Sequence, residues 1–318
     1  MATAILRTAV LLFLIFGSVA PSCAAGKLVA AVLSADIPRY REAHRSFVKT
    51  LAQKGFDQSN TEIFLQSPNP DPISWANAIR KFEAIGADII IAYGAPATLA
   101  AKREVDKTPV VFVDVYGPVE TGVTRLSGIT GSNLCGVSSK VPMVTLIRTA
   151  NDFRKVGRIG VVYNSREAGS AVQFNEIRNL GSQLKFSVLG ANLASTGLDA
   201  ALDSLLSRVD YLYVSECFSC ARGFERIVTK ANGAGIPVLS QMPDSAEKGA
   251  VVSLEVSPAE QGQLAAEYAA KVLMGVKPGQ LPIITPKKID LVVNLRAVKA
   301  LNLHIPLQGL TSATKIIK

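Results

Sequence analysis

Cys217-Phe218-Ser219-Cys220 is the segment of this 318-residue chain whose residue types and spacing point most directly to chemistry. Two thiols three positions apart at the start of a helix can act as a redox pair, because the helix N-terminus favours the thiolate. In an oxidising compartment the same pair can close into a static disulfide or line a ligand site. The surroundings are strand-to-helix without a thioredoxin-type context, which favours the static or ligand-lining alternatives over an exported thiol–disulfide enzyme. Cys135 falls in an apolar stretch and is expected to be buried. Two cysteines with no nearby histidine do not complete a tetrahedral zinc site, so no metal is expected.

Little else in the chain suggests catalysis. There are two histidines, His44 and His304, and no Walker phosphate loop, Rossmann glycine fingerprint or Gly-x-Ser-x-Gly elbow. The expectation is a binding protein without catalytic residues or cofactor. A formal charge of +9 raises nucleic acid as a partner. The basic residues are spread thinly, as in Lys102-Arg103 and Lys287-Lys288, so a solubility or membrane-surface role is the better reading and no nucleic-acid partner is expected.

Arg7, the apolar run from Ala9 to Phe16 and the small residues through Ala25 have the three-part layout of a secretory signal. The expected mature protein is periplasmic and begins near Ala24 to Gly26. Lipid attachment at Cys23 is the alternative, weakened by the Ala20-Pro21-Ser22 that precedes it.

The elements that must position any site read as alternating strands and helices. Leu28–Leu33, Thr61–Leu65, Asp88–Ala92 and Val110–Val113 are short apolar runs, with helical spacing from Pro38 to Lys54 and from Pro72 to about Ala84. Gly55 and Gly86 stand where helices should stop. The pattern recurs in Arg158–Tyr163, Phe186–Leu189, Tyr211–Val214, Ile236–Ser240 and Val251–Leu254, with helices over Ala168–Leu180 (closed by Gly181), Leu198–Val209 and Ala221–Ala231. Ser257-Pro258-Ala259-Glu260 is a capping box that opens a helix to Met274. Strands apolar on both faces, each followed by a helix, imply parallel sheets covered on both sides. The expected fold class is α/β, with two doubly wound Rossmann-like lobes. Residues 1–25 are expected to be the signal, 26–136 plus about 256–288 the N-terminal lobe, and 137–255 plus about 289–318 the C-terminal lobe, the tail crossing the hinge.

Several of these pieces, in their order and spacing, resemble ABC-transporter substrate-binding proteins, in the family with tryptophan- and tyrosine-binding members. They are Ala95-Pro96-Ala97-Thr98, Thr108-Pro109-Val110-Val111-Phe112, Gly117-Pro118-Val119 with Gly122-Val123, the run Val156 to Ser165, Ile236-Pro237-Val238 and Leu291-Val292-Val293-Asn294. The resemblance covers nearly all of the expected mature chain. It implies a type I periplasmic-binding fold with a three-crossover hinge that closes on a ligand, and a membrane permease as partner. A monomer is expected. The same clamp could instead present its ligand to a membrane sensor. The chain departs from amino-acid-binding members in lacking an acid before the Pro of Gly117-Pro118, and in having Ser215-Glu216 in place of a Thr-Asp-type pair.

Parallel sheets bind ligands beyond the C-terminal ends of their strands. That rule selects Ser34, Asp36, Tyr93, Gly94, Ala95, Pro96, Asp114 and Tyr116 in the first lobe, and Asn164, Ser165, Ser215, Glu216, Cys217, Ser240 and Gln241 in the second. Helix N-termini beside them could attract a carboxylate or phosphate. Asp114 or Glu216 could pair with an ammonium, and Tyr93, Tyr116, Tyr163 or Phe218 could hold a flat group. Each of these residues has a plainer alternative as a helix cap, a packed ring or a solvated acid.

Overall fold

The computed structural model describes residues 26–125, 128, 132–305 and 310–318. The expected signal and Cys23 lie outside the described residues. Two sheets, each wrapped by helices, form two lobes.

The first sheet is five-stranded, in the order β2-β1-β3-β4-β5. Its strands are β1 (Lys27–Leu33), β2 (Thr61–Gln66), β3 (Ile89–Tyr93), β4 (Val110–Val115) and β5 (Leu134–Ser138), all parallel. Between them run α1 (Pro38–Gln53), α2 (Pro72–Ala84) and α3 (Ala95–Glu104). Alternation along the strands divides the core in two, as period-2 side chains require. Val29, Ala31, Leu33, Ile89, Ile91 and Tyr93 pack beneath α1. Ala30, Val32, Ile90, Ala92 and Phe112 pack beneath α2 and α3.

The chain then enters the second lobe through α4 (Met143–Phe153). There follow β6 (Arg158–Tyr163), α5 (Ala168–Leu184), β7 (Ser187–Asn192), α6 (Leu198–Leu206), β8 (Tyr211–Val214), α7 (Phe218–Gly233), β9 (Val238–Ser240) and β10 (Val252–Val256). Next, α8 (Pro258–Leu273) packs against α1 in the first lobe, after which β11 (Ile289–Asn294), α9 (Leu295–Ala300) and β12 (Lys315–Ile317) complete the second sheet. That sheet is seven-stranded, in the order β12-β11-β10-β9-β8-β6-β7, and only the β10–β11 pair is antiparallel. The close fit of α8 on α1 depends on Gly262, where a Cβ would stand 2.0 Å from the Ala43 carbonyl oxygen.

Three local expectations are corrected. Gly181 does not end α5, which continues to Leu184 and stops at Lys185 in the left-handed conformation (φ 64°). Gly181 is needed for packing instead, since a Cβ there would lie 2.8 Å from the Phe186 carbonyl oxygen. Only half of the capping box forms: the Ser257 hydroxyl accepts from the Glu260 N–H at 3.3 Å, while the Glu260 carboxylate accepts from the Lys287 N–H. Third, α7 starts at Phe218, three residues before the expected Ala221, so Cys217 is its N-cap and Cys220 falls in its first turn.

Candidate functional site

A cavity of about 550 Å³ lies between the lobes, within the size range of small-molecule sites. Ser34, Arg39, Tyr40, Trp75 and Pro96 line it from the first lobe. Asn164, Glu167, Leu193, Phe218 and Ser219 line it from the second. An inner recess continues past Arg39 to Asp114, Tyr116, Ser170 and Glu216.

Arg39 stands in the first turn of α1, placed there by Pro38 at the helix start. Its Nε lies 3.3 Å from Asp114 Oδ2, and its Nη1 lies 2.8 Å from Glu216 Oε1. Asp114 is the penultimate residue of β4 on the same lobe and adopts a left-handed backbone (φ 56°), which Asp tolerates better than most residues. Glu216 follows β8 on the other lobe, so the guanidinium bridges the cleft. Glu216 also accepts from Gln173 Nε2 at 2.9 Å, while its own N–H and the Tyr213 hydroxyl donate to Gln173 Oε1. A second bridge joins the lobes where the Tyr116 hydroxyl donates to Glu176 at 2.8 Å.

The electrostatics follow from burial. Burial opposes the Arg39 charge, but Asp114, Tyr40 and Glu216 outweigh it and hold the guanidinium well above its ordinary value. Burial pushes Glu216 up to about 7 against the pull of Arg39, with Asp114 adding like-charge repulsion. Asp114 and Glu167 are also raised, chiefly by burial.

The cavity walls are apolar and aromatic. Trp75 donates from Nε1 to the Ser34 carbonyl at 3.0 Å, which fixes its ring. Tyr40 receives a bond from Arg39 Nη2 at 3.1 Å and carries that guanidinium 4.9 Å above its ring centroid. Gly94 permits this arrangement: with φ at 82°, it sits so close to Tyr40 that a Cβ would stand 2.2 Å from the phenol oxygen. Across the gap, the Phe218 N–H donates to both Glu167 oxygens at 3.0 Å.

Of the residues picked from strand ends, Ser34, Pro96 and Asn164 line the main cavity, and Ala95, Asp114, Tyr116 and Glu216 line the recess. Others are placed differently. Tyr93 is fully buried beneath α1, with its hydroxyl 3.1 Å from His44 Nδ1, because its position in β3 faces the α1 side of the sheet. Ser215 is fully buried against Ser170, 2.6 Å between hydroxyls. The Ser240 hydroxyl donates to the Val214 carbonyl, and buried Gln241 contacts Met143 Sδ. Asp36 pairs with Arg41 at the exposed surface, and Ser165, also exposed, bonds to Asn192. Tyr163 stacks on Phe174 within the second lobe, with centroids 4.2 Å apart.

Cys217 and Cys220 form a disulfide. Both are buried, and Cys217 faces a separate small pocket with Met242 and Ser245. Free Cys135 is fully buried, and burial pushes its thiol up to about 12. Sequence reading missed Arg39, Tyr40, Trp75 and Glu167, because it stopped at the residues just past each strand. The first turn of the following helix faces the same gap. The single Trp beside the Asp71-Pro72 helix start was a usable signal.

Two sheets that share one gap, with strand ends and helix starts from both on its walls, fit a solute-binding clamp, and comparison with known proteins decides the family. Residues 29–317 match the family described as ABC transporter substrate binding protein. The chain belongs to that family. It is similar to the tyrosine-binding protein of Clostridioides difficile (strain R20291), 26% identical over 272 residues that span 84% of this chain and 78% of the relative. A conserved domain protein from Vibrio cholerae has a crystal structure similar to this one, with a TM-score of 0.85 and 26% identity over 91% of this chain and 99% of that one. The ABC domain from Streptococcus pneumoniae in complex with L-Trp shares the fold, with a TM-score of 0.86 and 20% identity over 92% of this chain and 100% of that one. The fold of this ABC substrate-binding protein is the two-lobed type I periplasmic-binding one. No described helix is long and apolar enough to cross a membrane.

Proposed function

We propose that this ABC substrate-binding protein is the extracytoplasmic capture component of an importer. It takes up a small solute with a flat, apolar portion and closes about its hinge, so that the closed form meets the membrane permease. It acts as a monomer, without cofactor and without chemistry of its own. The observation that carries this reading is the shared cavity: Trp75 and Tyr40 line it from one lobe and Phe218 from the other. Arg39 reaches across beside it to Glu216. Rings on both walls of a closable gap suit a planar solute, in keeping with the tyrosine and L-Trp named for the relatives. The ligand-contact residues proposed are Ser34, Arg39, Tyr40, Trp75, Pro96, Asn164, Glu167 and Phe218. Burial of Cys217 and Cys220 supports a static disulfide rather than a redox enzyme, since neither sulfur is open to a protein substrate.

A thermal-shift panel of amino acids, aromatic amines, nucleosides, sugars and organic acids tests the proposal. A solute that binds only the folded form raises Tm by mass action. At least one class should do so, and Phe218→Ala should weaken that solute about three- to tenfold. A panel without a hit contradicts solute capture, and a hit indifferent to Phe218→Ala contradicts this cavity.

A further inference from the structure

The buried charges around the cavity do not balance. Asp114, Glu167 and Glu216 are carboxylates facing one buried cation, Arg39. Two of the three already hold the guanidinium, at 3.3 and 2.8 Å. Glu167 accepts from neutral donors, the Phe218 N–H and Asn164 Nδ2. The remaining charges on the wall, Arg166 and Asp71, are at or near the solvent surface and offset one another. Glu167 is half-buried and feels Arg39 without an ion-pair contact, so this arrangement has room for one more positive charge.

The sites that would take a ligand carboxylate are mostly filled. The Ser34 hydroxyl accepts from the Ala97 N–H at the start of α3, Asp71 accepts from Ile73 and Ser74 at the start of α2, and Glu167 covers the start of α7. The start of α5 has no side-chain cap, but it opens onto the recess already occupied by Asp114 and Glu216. The first turn of α1 is likewise uncapped. The cation it carries, Arg39, is neutralised twice over.

We infer that the cavity is built for a cation: an aromatic amine or comparable organic cation whose ammonium joins Glu167 while its ring lies between Trp75 and Phe218. Aromatic faces beside a cation add to the attraction. The raised affinity of Glu167 for protons, caused first by burial, is the behaviour expected of an acid without a cation in contact with it. This inference rests on the solute-capture reading and narrows it: the zwitterions named for the relatives are not the preferred class for this chain.

The test compares three probes that share one ring, titrated calorimetrically at pH 7.5 into the disulfide-containing protein: tryptamine (a cation), L-tryptophan (a zwitterion) and indole-3-propionate (an anion). Affinity should fall by about tenfold or more from tryptamine to L-tryptophan, and again to indole-3-propionate. Glu167→Gln should weaken tryptamine and remove most of the second gap, between the two probes that differ in the ammonium, while leaving the unliganded Tm close to that of the wild type. Equal or tighter binding of L-tryptophan overturns the inference. Should no indole bind, the charge of the panel hits decides: cationic hits support the inference, and zwitterionic, anionic or neutral hits overturn it while leaving solute capture in place. A panel with no hit at all overturns both.

Discussion

Arg39 Nη1 of the first lobe stands 2.8 Å from Glu216 Oε1 of the second, a buried ion pair that crosses the cleft beside the cavity. Asp114 holds the same guanidinium from within the first lobe. Opening the cleft therefore leaves Arg39 paired with Asp114 and separates it from Glu216. Glu216→Gln should favour the open form and weaken solute affinity by tenfold or more, since it removes the charge-assisted contact that ties one lobe to the other. Binding isotherms of the variant check this; unchanged affinity would remove the pair from closure.

Gly94 gives a backbone test of the same region. Alanine there meets the Tyr40 phenol oxygen at 2.2 Å and must hold φ near 82°. Gly94→Ala should cost about 1–3 kcal/mol of stability and displace Tyr40 from the wall. Denaturant unfolding and binding should both show the loss. Normal affinity in the folded variant would mean that Tyr40 does not contribute.

The disulfide closes a very short loop in the first turn of α7, next to Phe218. Loop-closure entropy for so few residues is about 2 kcal/mol. Replacing both cysteines by serine should lower stability by about that amount and weaken solute binding, because Phe218 and its N–H lose their fixed support. Equilibrium unfolding with and without reductant measures the first effect; calorimetry measures the second.

Glu255 provides the pH prediction. Burial raises it from 4.5 to about 7, although Ser253 and the Asp244 N–H donate to it and favour the ionised form. A carboxyl whose folded pKa exceeds its unfolded value lends stability below about pH 4.5 and loses it as pH rises to about 7. Glutamine imitates the protonated acid. Glu255→Gln should match the wild type near pH 4.5 and be more stable than it above pH 7. His44 tilts both proteins equally the other way, since burial lowers it to about 4. Parallel Tm-versus-pH curves would contradict the assignment.

Much of the fold was legible in the sequence because hydrophobic runs and caps are local. Asp71, Ser257 and Asn294 cap their helices by side-chain bonds, and Leu28–Leu33 of β1, β3, and Val110–Val113 of β4 are continuous apolar runs. The site was legible only in part, because a strand end gives a location but not a facing direction. Asp114 and Glu216 face the gap, whereas Tyr93 and Ser215, chosen by the same rule, face into a core or a neighbouring hydroxyl. Arg39 and Glu167 owe their importance to partners 177 and 51 positions away, Glu216 and Phe218, which no local pattern encodes.

Small-angle scattering of the protein titrated with a solute that raises its Tm tests most directly whether the two lobes close on one shared cavity. The radius of gyration should fall on saturation in the wild type, and stay larger in Glu216→Gln under the same conditions. A saturated wild-type protein with the dimensions of the free one would contradict closure between Arg39 and Glu216.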